Sequence, residues 1–413
     1  MSKSEILSDQ ELYELTGAFQ ESNYSKDRAL ELVAAAAVSM VTEPGDQMAG
    51  ALSRHLGKIE FLDLLVDGLA TKSVLGALAE VHSVERLRQQ FGDLESTISD
   101  SRQRWLPRLS KSRLTHLFCQ SEALGITLLS PEHPSWPAAL DDLQDAAPAM
   151  LFVQGGNSIL AELREGVSIV GSRACTSYGK QVTNLLVQQL AAASRPTVSG
   201  GAVGIDAHAH QASVDLGLET IAVMAGGLDR KYPRVNFPLF EQIKLRGAVI
   251  SELPPGVAPT RWRFLQRNRL IAALTNTTVV IEAGVRSGSI RTANNALELD
   301  RELYAVPGSV LSGTSRGTNA LIADGRAQAL HDLKYFASGL QEELSEARES
   351  ALAKRARDAI REIGYPTRTE IAKGAGLTSA ELSLALHELT SQNHVITDHS
   401  KKGEVHYSLR YAH

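Results

Sequence analysis

Nine consecutive residues, Arg261-Trp262-Arg263-Phe264-Leu265-Gln266-Arg267-Asn268-Arg269, hold four arginines, two aromatic rings and no acid. Guanidinium groups neutralise a phosphate backbone and a ring offers its face to a base, so this composition suits single-stranded nucleic acid. The bland reading of the same residues is an exposed basic helix start whose Trp262 and Phe264 pack inward. Four further segments are rich in glycine and small polar residues: Gly171-Ser172-Arg173, Ser199 to Asp206, Gly226 to Asp229, and Ser287-Gly288-Ser289. Loops without Cβ atoms let backbone N–H groups approach a phosphate, and a helix that follows adds its positive end. One such loop is often there only for its turn geometry. Four at one edge would make a phosphate-binding rim.

These segments need a scaffold, and the runs that precede them supply one. Val167–Val170, Thr197–Ser199, Thr220–Met224, Ala248–Ile250, Thr277–Ile281 and Leu303–Val306 are short, rich in Val and Ile, and separated by helical stretches. They predict an α/β core, a Rossmann-like, doubly wound, mostly parallel sheet that binds ligands at the carboxyl ends of its strands. Upstream, apolar residues recur at three and four positions, as in Leu30, Val33, Ala34, Ala37 and Val38, and predict an α-helical N-terminal domain. Downstream, three helices at 351–363, 367–374 and 378–392 with two short strands predict a winged helix. The expected domains are 1–130, helical; 131–337, the sheet core; 338–350, a linker; and 351–413, the winged helix.

The chain has 413 residues, enough for two or three domains, and 43% of them are hydrophobic. Its 42 Lys and Arg against 47 Asp and Glu leave a net charge of -5, so any polyanion site must be a local patch. Cys119 and Cys175 lie far apart with no metal-ligand spacing, which argues against a disulfide framework or a structural zinc site. The first 17 residues lack the pattern of a signal peptide, and no stretch reaches the length of a membrane span. A soluble cytoplasmic protein with no membrane partner, no metal and no cofactor is expected.

Neither G-x-G-x-x-G nor G-x-x-x-x-G-K-[ST] occurs, so dinucleotide and ATP phosphate loops of those kinds are disfavoured. His208 and His210 flank Ala209, but residues two apart on a helix point to different faces and no further ligand joins them. Cys175, two residues from Arg173, has no paired base and is not expected to be catalytic. Glu252 and Glu282 follow strands and could form an acid/base pair, the basis of an alternative reading as a nucleotide phosphoribohydrolase, although that family's Pro-Gly-Gly-x-Gly-Thr motif is absent.

Many ordered motifs carry a family resemblance. They are Trp136-Pro137-x-x-Leu140, Ile169 to Arg173 with Tyr178-Gly179, Ser199 to Asp206 with Ala209-His210, and Gly227-Leu228-Asp229 with Tyr232-Pro233. Ser251-Glu252, Phe264 with Arg267-Asn268-Arg269, Ser287 to Ser289 with Thr292-Ala293, Ala305 to Gly308, and Gly317-x-Asn319-x-Leu321-Ile322 complete the set. Over nearly its whole length the chain resembles the DNA-processing DprA (Smf) family.

The resemblance implies a non-catalytic protein that binds single-stranded DNA without sequence preference, protects incoming strands in natural transformation, and loads the recombinase RecA. It also implies a homodimer formed through the core. By position, Arg173 would hold phosphates beside the N–H groups of Ser172, Gly200 and Gly201, and Arg261 would add a basic contact. Phe264 would stack on a base, Arg267, Asn268 and Arg269 would line the pocket, and Ser287, Gly288 and Ser289 would close its rim. Val203 stands where many members carry Lys or Arg, and Asp300-Arg301 and Gly325-Arg326 replace the commoner Gly-Arg and Gly-Ala. The third helix of the C-terminal segment carries Glu381 and Glu388 but no Lys or Arg, a poor surface for a major groove, so a duplex-reading regulator is the weaker alternative there.

Overall fold

The computed structural model describes residues 9–19, 25–336, 350–391, 395–399 and 405–409. It divides into two compact units, Met1–Leu333 and Lys334–His413. The first opens with helices α1 (Asp9–Thr16), α2 (Lys26–Val41), α3 (Gln47–Leu56), α4 (Lys58–Val66), α5 (Thr71–Glu80), α6 (Val84–Phe91), α7 (Leu94–Trp105) and α8 (Lys111–Ala123). Alternation follows: β1 (Thr127–Leu129), β2 (Leu151–Gly155), β3 (Val167–Val170), α9 (Ser177–Ala192), β4 (Thr197–Ser199), α10 (Ile205–Asp215), β5 (Thr220–Val223), α11 (Phe237–Ile243) and β6 (Ala248–Ser251). The unit ends with α12 (Arg261–Leu274), β7 (Thr277–Val280), α13 (Gly288–Glu298), β8 (Glu302–Ala305), α14 (Arg316–Ala323) and β9 (Gln328–Ala329).

The strands form one sheet in the order β1-β2-β6-β5-β4-β3-β7-β8-β9. From β6 to β9 neighbouring strands are parallel, whereas β2 pairs antiparallel with both β1 and β6. Strands β3 to β7 are buried throughout, which is why they read as continuous apolar runs. Side chains still alternate between two layers: Ile221 and Val223 pack on one face with Val170, Ile250 and Leu270, while Ala222 and Met224 pack on the other with Phe240 and Val249. The chain winds outward from β3 through β6, then returns to place β7 on the other side of β3. The crevice between β3 and β7 is therefore the point where strand order reverses, the place such sheets hold ligands.

The helical segment and the sheet carry details that the sequence reading did not include. The boundary expected at residue 130 is not a break in packing, because α2 lays its Ala29 to Ala37 face into the same core as Phe152, Met224 and Phe240. Small alanine side chains let that helix approach the sheet closely, so helices and sheet are one compact unit. Strand β1, placed by the sequence inside the helical segment, joins the sheet as its edge; three residues are too short for a period to show. Strands β2 and β9 were likewise not among the expected six.

In the second unit, α15 (Ala351–Ile363), α16 (Arg368–Ala375) and α17 (Ser379–Ser391) pack around Ile360, Ile371, Leu382 and Leu389, and β10 (Val395–His399) pairs antiparallel with β11 (Val405–Leu409). Thr367 and Glu370 form a reciprocal cap on α16, and Gly376 ends it in the left-handed conformation. The expected linker, apart from Ser350, lies outside the described residues. Among the described residues, no helix is long and apolar enough to cross a membrane.

Candidate nucleic-acid interface

At the reversal point a cleft of about 450 Å³ opens between the loops after β3 and β7 and the flank of α12. Ser172, Arg173, Phe264, Arg267, Asn268, Ser287, Gly288 and Ser289 all line it. Eight of the twelve expected site residues are thus brought together. Phe264 is half-buried in α12, capped by the Thr260 hydroxyl, which accepts from the Arg263 N–H. The Arg173 guanidinium lies 5.6 Å from its ring centroid and that of Arg267 lies 5.8 Å away. Tyr232 meets the same ring edge-on at 5.6 Å and is half-exposed, a neighbour that its Tyr-Pro motif alone did not assign to the site.

Arg267 is buried and held by the carbonyls of Gly200, at 2.7 Å, and Val223. Burial pushes its pKa down to about 10, with Asp206 opposing and Arg173 adding to the shift, so it remains a cation at neutral pH. Its Nε is buried with no hydrogen-bond partner among the described residues. Two guanidiniums within 6 Å of one ring make this wall of the cleft cationic.

Asp206 is the residue that sequence reasoning underused. Its buried carboxylate collects the N–H groups of Ala202, Gly200 and Gly171, tying the loops after β3 and β4 together beneath the cleft. Burial pushes its carboxyl up, while Arg267 and those N–H groups pull it down. Ser289 Oγ donates to the Gly171 carbonyl at 2.8 Å, and the Ile205 N–H donates to the Ser172 carbonyl at 3.1 Å, so the rim is cross-braced.

Four expected residues lie elsewhere. The Gly200 N–H is turned to Asp206, and Gly201 is packed so that an added Cβ would meet the Phe240 ring at 2.7 Å. These glycines serve close approach between loops, the geometric role weighed against phosphate binding at the outset. Arg261 is exposed at the start of α12 and outside the cleft lining. Arg269 points away: it pairs with buried Glu252 at 2.5 Å and donates to the Ala146 carbonyl at 2.9 Å. A 3.6-residue period carries position 269 to the opposite side of the helix from 264, 267, 268 and 271.

Gly204 has a φ of +91°, and a Cβ there would sit 2.2 Å from the Ser172 carbonyl. Gly204→Ala is expected to cost about 2–4 kcal/mol from combined backbone strain and overpacking. A denaturant midpoint unchanged from wild type would contradict this reading of the loop.

The remaining candidates resolve into structure. His210 is fully buried with Nδ1 2.7 Å from Thr220 Oγ1, and His208 is half-exposed. No cluster of three potential metal ligands occurs among the described residues. Glu252 is taken by Arg269, and Glu282 accepts from Thr176 through its N–H at 2.9 Å and its hydroxyl at 2.5 Å. Neither carboxylate lines the cleft, so the acid/base pair imagined for a phosphoribohydrolase does not form there. Val203 is partly exposed and also outside the lining, while Asp300 adopts φ +53°, a backbone conformation that favours glycine.

The family model for DNA recombination-mediator protein A matches residues 127–341. The DNA processing protein DprA of Bacillus subtilis is 38% identical over 221 residues, spanning 54% of this chain and 71% of its own. That of Streptococcus pneumoniae is 40% identical over 190 residues, 46% of this chain and 66% of its own. The X-ray structure of the Streptococcus pneumoniae DNA processing protein A superimposes with a TM-score of 0.56 at 30% identity, covering 77% of this chain and 97% of that one. Sheet, cleft and sequence lead to one assignment: the chain belongs to the DprA/Smf family of DNA recombination-mediator proteins.

Proposed function

We propose that this protein binds single-stranded DNA, without sequence preference and without catalysis, in the cleft between the loops after β3 and β7. The observation that carries the reading is Phe264, a half-buried ring with the guanidiniums of Arg173 and Arg267 within 6 Å of its centroid. Every base has a π-face, so a ring beside two cations takes strands of any sequence, and the cations take the phosphates. Duplex DNA keeps its bases stacked on one another and has none to offer the ring.

Protection of imported strands, loading of RecA and a homodimer through the sheet unit extend this reading on family resemblance, as does a cytoplasmic setting. The second unit is read as a winged helix on its three helices, its antiparallel ribbon and the bridge between Thr367 and His406. Its α17 uses Glu381 to cap its own first turn and Glu388 to accept from the Ser350 N–H, which suits contact with protein better than a phosphate groove.

Titration of fluorescent oligothymidine and of a duplex of equal length at several salt concentrations tests the core claim. Phe264→Ala should weaken single-strand binding by about 1–3 kcal/mol, the value of one stacked base. Arg173→Ala should weaken it and lower the salt slope by about 0.7, one phosphate contact on a single strand. Equal affinity for duplex, or binding indifferent to both substitutions, would overturn the assignment.

A further inference from the structure

A second hollow, of about 720 Å³, borders the first turn of α12 at Arg263. Arg263 lines it, one residue before Phe264 and so about 100° around the helix. Its other wall comes from the helical segment: Arg108, and Arg113 and His116 of α8. The floor is built from Leu253 to Val257. Four basic side chains therefore face a single carboxylate, Glu43.

That carboxylate is shared. Arg263 donates to both Glu43 oxygens, at 3.0 and 2.9 Å, and Arg108 approaches Oε1 at 3.0 Å. Both cations hold the Glu43 carboxyl below the usual carboxylate range despite the opposing effect of burial. Arg113 and His116 are exposed, and neither side chain has an ion pair or hydrogen bond among the described residues. The groove thus keeps an excess of positive charge in a chain whose overall charge is -5. Ser39, Thr42 and Ser112 add neutral polar lining, and no Phe, Tyr or Trp side chain lines the groove. It offers phosphate contacts without a stacking platform.

We infer that this groove receives the sugar-phosphate backbone of the single strand as it leaves the Phe264 cleft, so that α8 contributes directly to DNA binding. The inference rests on the proposed function of the cleft and extends it from Phe264 to the neighbouring Arg263 on the first turn of α12. A strand that fills only the cleft would not reach Arg113; a longer one would.

The test compares oligothymidines of about 6 and about 20 residues, bracketing the site size of a single binding fold. Wild type, Arg113→Glu/His116→Glu and Phe264→Ala are titrated with both, and each variant's thermal unfolding is recorded. The groove variant changes two exposed side chains, so its melting should match wild type. It should bind the long strand on the order of tenfold more weakly, with a shallower salt dependence, and the short strand as wild type does. Unchanged binding of the long strand by the groove variant, with Phe264→Ala still defective, would overturn the groove and leave the cleft standing. Equal losses at both lengths would overturn the exit path. If Phe264→Ala binds as wild type, the cleft reading fails and the groove proposal falls with it.

Discussion

Arg269→Met should destabilise the first unit by about 3–5 kcal/mol, because it leaves the Glu252 carboxyl group buried without its partner. Both side chains are less than a tenth exposed, and the guanidinium also holds the Ala146 and Gln266 carbonyls. The pair ties α12 to the end of β6 and to the segment after it. Replacing both partners, as in Arg269→Met/Glu252→Leu, removes the unpaired carboxyl group and should recover a large part of the loss. Guanidinium denaturation reads the stability, and single-strand titration of the folded variant reads the site. Affinity should hold, since Arg269 faces away from the cleft. Lost affinity in a protein of normal stability would return Arg269 to the pocket and contradict the geometry.

Acid should destabilise this fold through His210 well before its surface carboxylates titrate. Burial pushes the imidazole down to about 3 from an ordinary 6.5, with Arg267 adding to the shift. Between those values the unfolded chain binds a proton that the folded chain refuses. The contribution is fully present above 6.5, falls by about 1.4 kcal/mol per pH unit on acidification, and stops falling near the folded value. Asp206 works in the opposite sense: its raised carboxyl gives stability that is present at low pH and lost as pH rises through the folded value. The difference between wild type and His210→Gln, followed by denaturant unfolding from pH 7 to pH 4, isolates the histidine. A parallel pair of pH profiles would show that the imidazole is protonated in place.

The chain's residues made its main chemistry legible and hid its wiring. Val-rich runs ending in glycine and serine located the strands because parallel strands buried on both faces need continuous apolar side chains. The same runs located the cleft, since loops at the carboxyl ends of such strands converge. Phe264 and Arg173 were readable as a ring and a cation. Arg269 was not, because its fate depends on Glu252, a residue on another element, and on which flank of α12 faces the sheet. Gly200 and Gly201 looked like phosphate loops, yet their freedom is consumed by Arg267 and Phe240, and Gly200's N–H by Asp206. Nothing local to Asp206 announces that three N–H groups converge on it. The antiparallel edge, β1 and β2, was hidden because β1 spans three residues and follows a long helical segment.

The most direct test of the central claim is photocrosslinking with an oligonucleotide carrying 5-iodouracil, which couples to an aromatic ring against which it is stacked. After digestion with trypsin, the account predicts the crosslinked nucleotide on the peptide Phe264-Leu265-Gln266-Arg267, with the signal abolished by Phe264→Leu. Crosslinks confined to the second unit, or absent from this peptide at saturating DNA, would contradict it.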